Sequence, residues 1–348
     1  MTKYINSTDK QDILNLSLDE LVQRLFALGE KSYRAGQIFE WIYQRSVDDF
    51  EKMTNLSAVF RDKLKENFKF PVTDSIKKEI STDKITKILF ELEDKQKIET
   101  VIIPTSKRVT VCISTQAGCK YACKFCASGI NGFKRDLSSA EILSQIIYVK
   151  SILGERELTH IVFMGVGEPL DNYDNVIKAI KIINSKDALN IAARRITIST
   201  CGLIPQIKKL ISLGLQIELS VSLHGSNDKI RTQLMPVNKI YPLKDLIVAL
   251  KEYSKETNRQ ITFEYILIKD LTATNECVDE LGRLLREGLF KVNFISYNKV
   301  EEFGYEPVDK GQAILFKDRL TKLGVHCTLR APRGSDISAA CGQLRTKY

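Results

Sequence analysis

Apolar residues recur along this chain at two spacings, and each spacing predicts a different kind of element. Between residues 17 and 68 the spacing is helical. Leu18, Leu21, Val22, Leu25 and Leu28 fall three and four apart behind a Ser17-x-x-Glu20 capping box. A second helix carries Ile38, Phe39 and Ile42, and the turn MTNLS leads into a third with Leu56, Val59 and Leu64. From residue 84 the period drops to two. KITKILFEL and KIETVIIP flank a charged EDKQ turn as the strands of a hairpin.

From residue 108 strand-like and helix-like runs alternate. RVTVCIS, HIVFMGV, RRITIST, QIELSVSL, ITFEYILI and KVNFISY read as strands, separated by helix-length segments such as 138–153, 174–184, 243–256, 275–287 and 309–323. Six strands each followed by a helix predict an α/β fold whose parallel sheet curls into a partial (β/α)6 barrel. The chain divides accordingly into a helical accessory domain (1–70), connecting strands (71–104), the barrel (105–330) and a C-terminal tail (331–348). VHCTLRA reads as one further, late strand.

Polar residues stand where the strands end: Glu168, Ser199, Ser222 with His224, and Asn298. The C-terminal rim of a β/α barrel is where ligands bind, so these positions suit a polar ligand. GVGE at 165–168 is only half of a dinucleotide fingerprint and is weak by itself. In RVTVCIST, Val109, Val111 and Ile113 share one face, and Thr110, Cys112 and Ser114 the other. The apolar face should meet the surrounding helices, which turns Cys112 toward the barrel interior.

Composition narrows the class. The 348 residues are 43% apolar and 27% charged, as in soluble globular proteins. No run approaches eighteen apolar residues, so no membrane span is expected. The first twelve residues, MTKYINSTDKQD, lack the apolar centre of a secretory signal. A cytoplasmic location follows as an expectation, and eight cysteines in a reducing compartment point to metal ligation or redox chemistry. The net charge of +9 permits a nucleic-acid partner without requiring one. Lys107, Arg108, Lys120, Lys124, Lys134, Arg135, Arg330, Arg333 and Arg345 gather near the predicted chemistry.

The sharpest local signal is QAGCKYACKFCASGINGF, where Cys119, Cys123 and Cys126 form C-x-x-x-C-x-x-C in the first βα loop. Thiolates select zinc, copper(I) or iron–sulfur clusters. A structural zinc needs four ligands, and Cys112 could supply the fourth. A 4Fe–4S cluster normally takes four cysteines; held by three, it leaves one iron open.

That motif after the first strand of a six-fold barrel resembles the radical S-adenosylmethionine (SAM) enzymes. GEKSYRAGQIFEWIYQR, MTNLS, MGVGEPLDNYDNV, ITISTCGLIP, SLHGSNDKIRTQLMPVN and DISAACGQL together resemble the RlmN family, in order and across essentially the whole chain. The resemblance implies a radical SAM barrel with one 4Fe–4S cluster bound by Cys119, Cys123, Cys126 and SAM. It implies SAM contacts at Gly167, Glu168, Ser199, Ser222, Leu223, His224 and Asn298. The implied reaction methylates carbon 2 of adenine, at position 2503 of 23S rRNA and position 37 of tRNA. Carbon 2 is electron-poor and has no lone pair, so a carbon radical must add to it. In the family pattern Cys341 takes a methyl from one SAM, a second SAM yields the radical, and the methylene on Cys341 adds to adenine. Glu99 matches the base that removes the carbon-2 proton, and Cys112 the thiol that resolves the adduct through a transient disulfide. A flavodoxin or ferredoxin is the implied electron donor and a monomer the implied state. The chain departs from the family pattern at Ser296 and Lys299, near Asn298, and at Ser335, before Cys341. The related Cfr pattern, which methylates carbon 8, carries G-E-A-L where this chain has GEPL. A zinc-stabilised RNA-binding protein is the non-enzymatic alternative. Cys201, Cys277, Cys327, His160 and His326 are read as structural.

Overall fold

The computed structural model describes residues 10–345; most of the polar leader and the last three residues lie outside it. Ten strands form one open sheet in which every strand lies beside its sequence neighbours. In chain order they are β1 (Thr73–Ile80), β2 (Thr86–Leu92), β3 (Lys97–Pro104), β4 (Val109–Cys112), β5 (His160–Phe163), β6 (Ile196–Thr200), β7 (Glu218–Ser222), β8 (Ile261–Leu267), β9 (Phe290–Ser296) and β10 (His326–Arg330). β1 to β4 run antiparallel, and β4 to β10 are parallel throughout. The six predicted barrel strands are β4 to β9, and β10 adds a seventh parallel strand at the edge.

The connecting segment is a three-stranded meander where the sequence predicted a hairpin. The extra strand, TDSIKKEI, is polar because β1 is an edge strand with alternate residues exposed. Charged edges block pairing with other chains, and they also hide a strand from hydrophobic periodicity.

The N-terminal helices α1 (Leu18–Ala27), α2 (Tyr33–Phe39) and α3 (Ala58–Asn67) pack on the barrel. The predicted capping box is present: Glu20 N donates to Ser17 Oγ at 3.3 Å and Ser17 N to Glu20 Oε2 at 2.7 Å. α3 differs in detail. Leu56 precedes it and Val59 faces solvent, while Phe60 and Leu64 are the buried pair. Helix α4 (Ser139–Ile152) is joined to the N-terminal segment by Asn15 Oδ1, which accepts from Ser139 Oγ and Ala140 N, both at 2.8 Å. Lys150 Nζ donates to the carbonyls of Tyr43 and Gln44 at 2.8 and 2.6 Å. Ile13, Phe39, Leu64 and the barrel strands share one continuous core.

The alternation read in β4 holds. Val109, Val111 and Ile113 lie in that core, whereas Cys112 joins a separate interior cluster with Val101, Val166, Ala339 and Leu344. No helix among the described residues is long and apolar enough to cross a membrane.

Candidate active site

The C-terminal ends of the parallel strands converge on one cavity. Cys119, Cys123 and Cys126 line it from the loop after β4, and Gly167 and Glu168 from the loop after β5. Ser199 is the penultimate residue of β6, Ser222 ends β7, and His224 follows; all three line the same space. Arg330, at the end of β10, and Cys341 close the far wall.

The cysteine loop is pinned at its base and flank. Gln116–Ala117 pairs antiparallel with Arg135–Asp136. Asp171 accepts from Lys120 Nζ at 2.7 Å, Tyr121 OH at 3.1 Å and Gln116 Nε2 at 3.1 Å. A Cβ on Gly118, at φ +75°, would lie 1.8 Å from the Gly132 carbonyl oxygen, so the two limbs touch backbone to backbone. Gly167 is equally constrained: its φ is +107°, and a Cβ there would lie 2.6 Å from Gln116 Cβ.

Glu168 is buried, and its carboxylate ties two strand ends together. It accepts from Cys201 N at 2.7 Å and Leu170 N at 3.0 Å. Burial pushes its pKa up, and those amide donors oppose the rise. His224 Nδ1 accepts from Ile266 N at 3.1 Å, which leaves Nε2 as the donor. Burial pushes the imidazole down to about 3, so it stays neutral near pH 7. Leu223 is a core residue whose side chain points away from the cavity, so its backbone alone is available to a ligand.

A second, smaller cavity adjoins the first. Cys112 and Cys341 both line it, with Asn298, Arg330 and Ala340. Asn298 Nδ2 donates to the Cys341 carbonyl at 3.1 Å, placing this residue against the tail and off the first cavity. All eight cysteines are free thiols. Burial first, then Cys341, pushes the Cys112 thiol up to about 12.

The tail is docked, not loose. Ala127 N donates to the Gly342 carbonyl at 2.7 Å and Ser128 Oγ to the Leu344 carbonyl at 2.9 Å. Asp336 accepts from Thr82 N at 3.0 Å and from the Ser81 hydroxyl. That carboxylate sits beside the departure at Ser335 and supplies the acidic anchor. Lys299 pairs with Glu306 at 2.6 Å, and its carbonyl accepts from Gln343 Nε2 at 3.1 Å. Glu99, on β3, lines neither cavity; it lies beneath the tail, where the nearby Arg345 backbone N–H helps to lower its pKa against the rise from burial.

The donor set fits a cluster better than one metal ion. Among the described residues no three His, Cys, Asp or Glu side chains converge as ligands of a single ion would. A cubane instead takes each thiolate on a different iron. Cys112 faces the second cavity, away from the three loop cysteines, which removes it as their fourth ligand. Burial and mutual repulsion push Cys119 up to about 12 and Cys123 well above its ordinary value, so three thiolates here need a cationic group among them.

Sequence reasoning missed several wall residues. Cys201, read as structural, lines the first cavity, as does Glu264. Arg231 is fully buried beneath them and donates to the Cys201 carbonyl at 2.7 Å. Only its place in the quoted SLHGSNDKIRTQLMPVN motif could have signalled it. Of the basic residues near the site, Arg135, Arg333, Lys120 and Arg345 are held by Asp94 and Glu141, Asp83, Asp171 and Glu302 respectively. Lys107, Arg108, Lys124 and Lys134 are exposed.

Comparison with known proteins agrees with this geometry. Residues 11–70 match the family described as the ribosomal RNA large subunit methyltransferase N-terminal domain, and residues 113–285 match the radical SAM superfamily. A probable dual-specificity RNA methyltransferase RlmN of Clostridium novyi is 44% identical over 97% of this chain and 98% of its own. Its counterpart in Staphylococcus saprophyticus is 43% identical over 99% of this chain and 95% of its own. A crystal structure of a radical SAM methyltransferase from Sphaerobacter thermophilus superposes with a TM-score of 0.94 at 39% identity, covering 96% of this chain and 99% of that one. With a radical SAM core and an RlmN-type N-terminal segment matched end to end at this identity, the chain belongs to the RlmN family of radical SAM RNA methyltransferases.

Proposed function

We propose that this enzyme methylates carbon 2 of adenine in 23S rRNA, at position 2503, and in tRNA, at position 37, using Cys341 as the carbon carrier. The observation that carries the reading is the position of Cys341. It shares one cavity with Cys119, Cys123 and Cys126, and the adjoining cavity with Cys112.

Cys119, Cys123 and Cys126 would hold a 4Fe–4S cluster, with Gly167, Glu168, Ser199, Ser222, the Leu223 backbone and His224 around SAM and Asn298 at its edge. Bound there, the cluster and SAM supply an electrophilic methyl group and, on one-electron reduction, a hydrogen-abstracting radical. Cys341 accepts the methyl and presents it toward the unstacked adenine. One methyl hydrogen leaves to that radical, and the methylene left on the Cys341 sulfur bonds to carbon 2. The adduct loses one electron, for which the cluster would be the acceptor, and Glu99 takes the carbon-2 proton. Cys112 attacks the Cys341 sulfur, forming an S–S bond as the carbon–sulfur bond breaks toward the RNA. The carbon then gains a proton to become methyl. The electron requirement calls for a carrier such as flavodoxin or ferredoxin, and the N-terminal helices are the natural extra RNA surface.

The test is digestion and mass analysis of 23S rRNA and tRNA from cells with and without the gene. We expect 2-methyladenosine to disappear from both RNAs on deletion. Fragmentation showing 8-methyladenosine instead would shift the reading to carbon-8 chemistry.

A further inference from the structure

Lys87, on β2, belongs to no part of that scheme. Its side chain is only 11% exposed. An ammonium buried to that extent is costly unless it is paired. Nζ donates to the Ile337 carbonyl at 2.6 Å, lies 3.1 Å from Glu79 Oε2, and lies 3.7 Å from Glu99 Oε1. Ile337 belongs to the tail that carries Cys341. The tail therefore reaches Glu99 through Ile337 and Lys87, and the Arg345 N–H adds to the field at its carboxyl. Glu99 Oε2 is buried with no hydrogen-bond partner, an acceptor left open.

A purely structural ion pair would be complete with Glu79, the nearer carboxylate. The bond to Ile337 adds the tail to that pair, with Glu99 Oε1 3.7 Å from the same ammonium. We propose that Lys87 is a positioning residue that couples docking of the Cys341 tail to the charge on Glu99. This rests on the reading of Glu99 as the carbon-2 base. With the tail docked, the ammonium stands beside Glu99. With the tail lifted, Lys87 loses Ile337 and is left to Glu79, whose side chain is 31% exposed. The cation thus favours the charged form of the base when the carbon carrier is in place.

The groups that face Glu99 are Lys87 from β2, Glu79 from β1 and the Arg345 N–H from the tail. Burial pushes the Glu99 carboxyl up to about 7, and Lys87 is the main opposing influence. Removing the cation leaves burial and Glu79 acting in the same direction.

The experiment compares Lys87→Met, Lys87→Arg, Glu79→Gln and Glu99→Gln in full-length, cluster-loaded protein. The first readout is hydrogen exchange at the tail amides of residues 339–345, made without substrate. We expect about tenfold faster exchange in Lys87→Met and near-native exchange in Lys87→Arg. The second is the pH dependence of single-turnover release of methylated RNA. The low-pH fall should move up by about one unit in Lys87→Met and return in Lys87→Arg. In Glu79→Gln it should move down, which keeps the test alive if Lys87→Met does not fold. An unmoved fall in variants that fold overturns the coupling, whether or not the tail loosens. If Glu99→Gln itself retains the low-pH fall, the base assignment has failed and the coupling goes with it. If Glu99→Gln abolishes the fall while Lys87→Met leaves it in place, only the coupling is lost.

Discussion

Glu99 illustrates how a residue proposed as a base also carries a stability cost. Its folded value of about 7 lies above the ordinary 4.5 of a glutamate. The stability linked to it is therefore complete below pH 4.5 and lost as pH rises through 7. Glu99→Gln removes that dependence. Between pH 5 and pH 8 the native protein should lose about 2 kcal/mol more stability than the variant, compared by urea unfolding at the two pH values. Equal losses would show that the carboxyl titrates normally. Sequence alone indicated Glu99 only through a motif, because nothing in KIETVIIP shows that Lys87 and the tail will enclose it. His224 is similar. Its position after a strand marked it as polar and near the rim, but its neutrality comes from burial and then from the nearby Arg231 charge.

At the scale of elements, the two sulfurs assigned to carrying and resolving come from opposite ends of the barrel sequence. Cys112 is the last residue of β4, paired in register with Val101 of β3 and Val162 of β5. Cys341 sits in a tail fixed by Asp336 on the meander and by Ala127 and Ser128 on the cysteine loop. Cys112→Ala should leave both anchors intact and remove only the attacking thiol. We expect RNA to accumulate covalently on Cys341, seen as a shifted band on a denaturing gel and mapped by peptide mass. Free, fully methylated RNA at the native yield would reject the resolving role. Docking of the tail is likewise hidden from the sequence. A run as polar as APRGSDIS reads as flexible, yet its hydrogen bonds are satisfied by partners that only the fold brings near.

On the scale of the whole molecule, the open sheet leaves one rim at which seven parallel strands end, and the tail crosses it. The three loop cysteines are the only protein ligands assigned to the cluster. Replacing all three with alanine should abolish the brown colour and the bound iron of anaerobically purified protein. Its melting temperature should stay within a few degrees of that of iron-free native protein, since the loop is held by Asp171 and the short strand pairing. Zinc at one equivalent in native protein, with no iron, would instead return the site to a structural role.

The sequence by itself determined the barrel architecture and singled out the candidate reactive groups. Period-two runs separated by amphipathic segments specify parallel βα units, and the spacing of Cys119, Cys123 and Cys126 is local, so both survive as linear patterns. The tertiary structure alone decided which groups meet. The meeting of Cys341 with Cys112, the tie of Lys87 to the tail at Ile337, and the assignment of Asn298 to the tail depend on contacts across more than forty residues. Edge strand β1 was hidden for the complementary reason: its exposed charges serve solvent and not the core, and periodicity reports only what is buried.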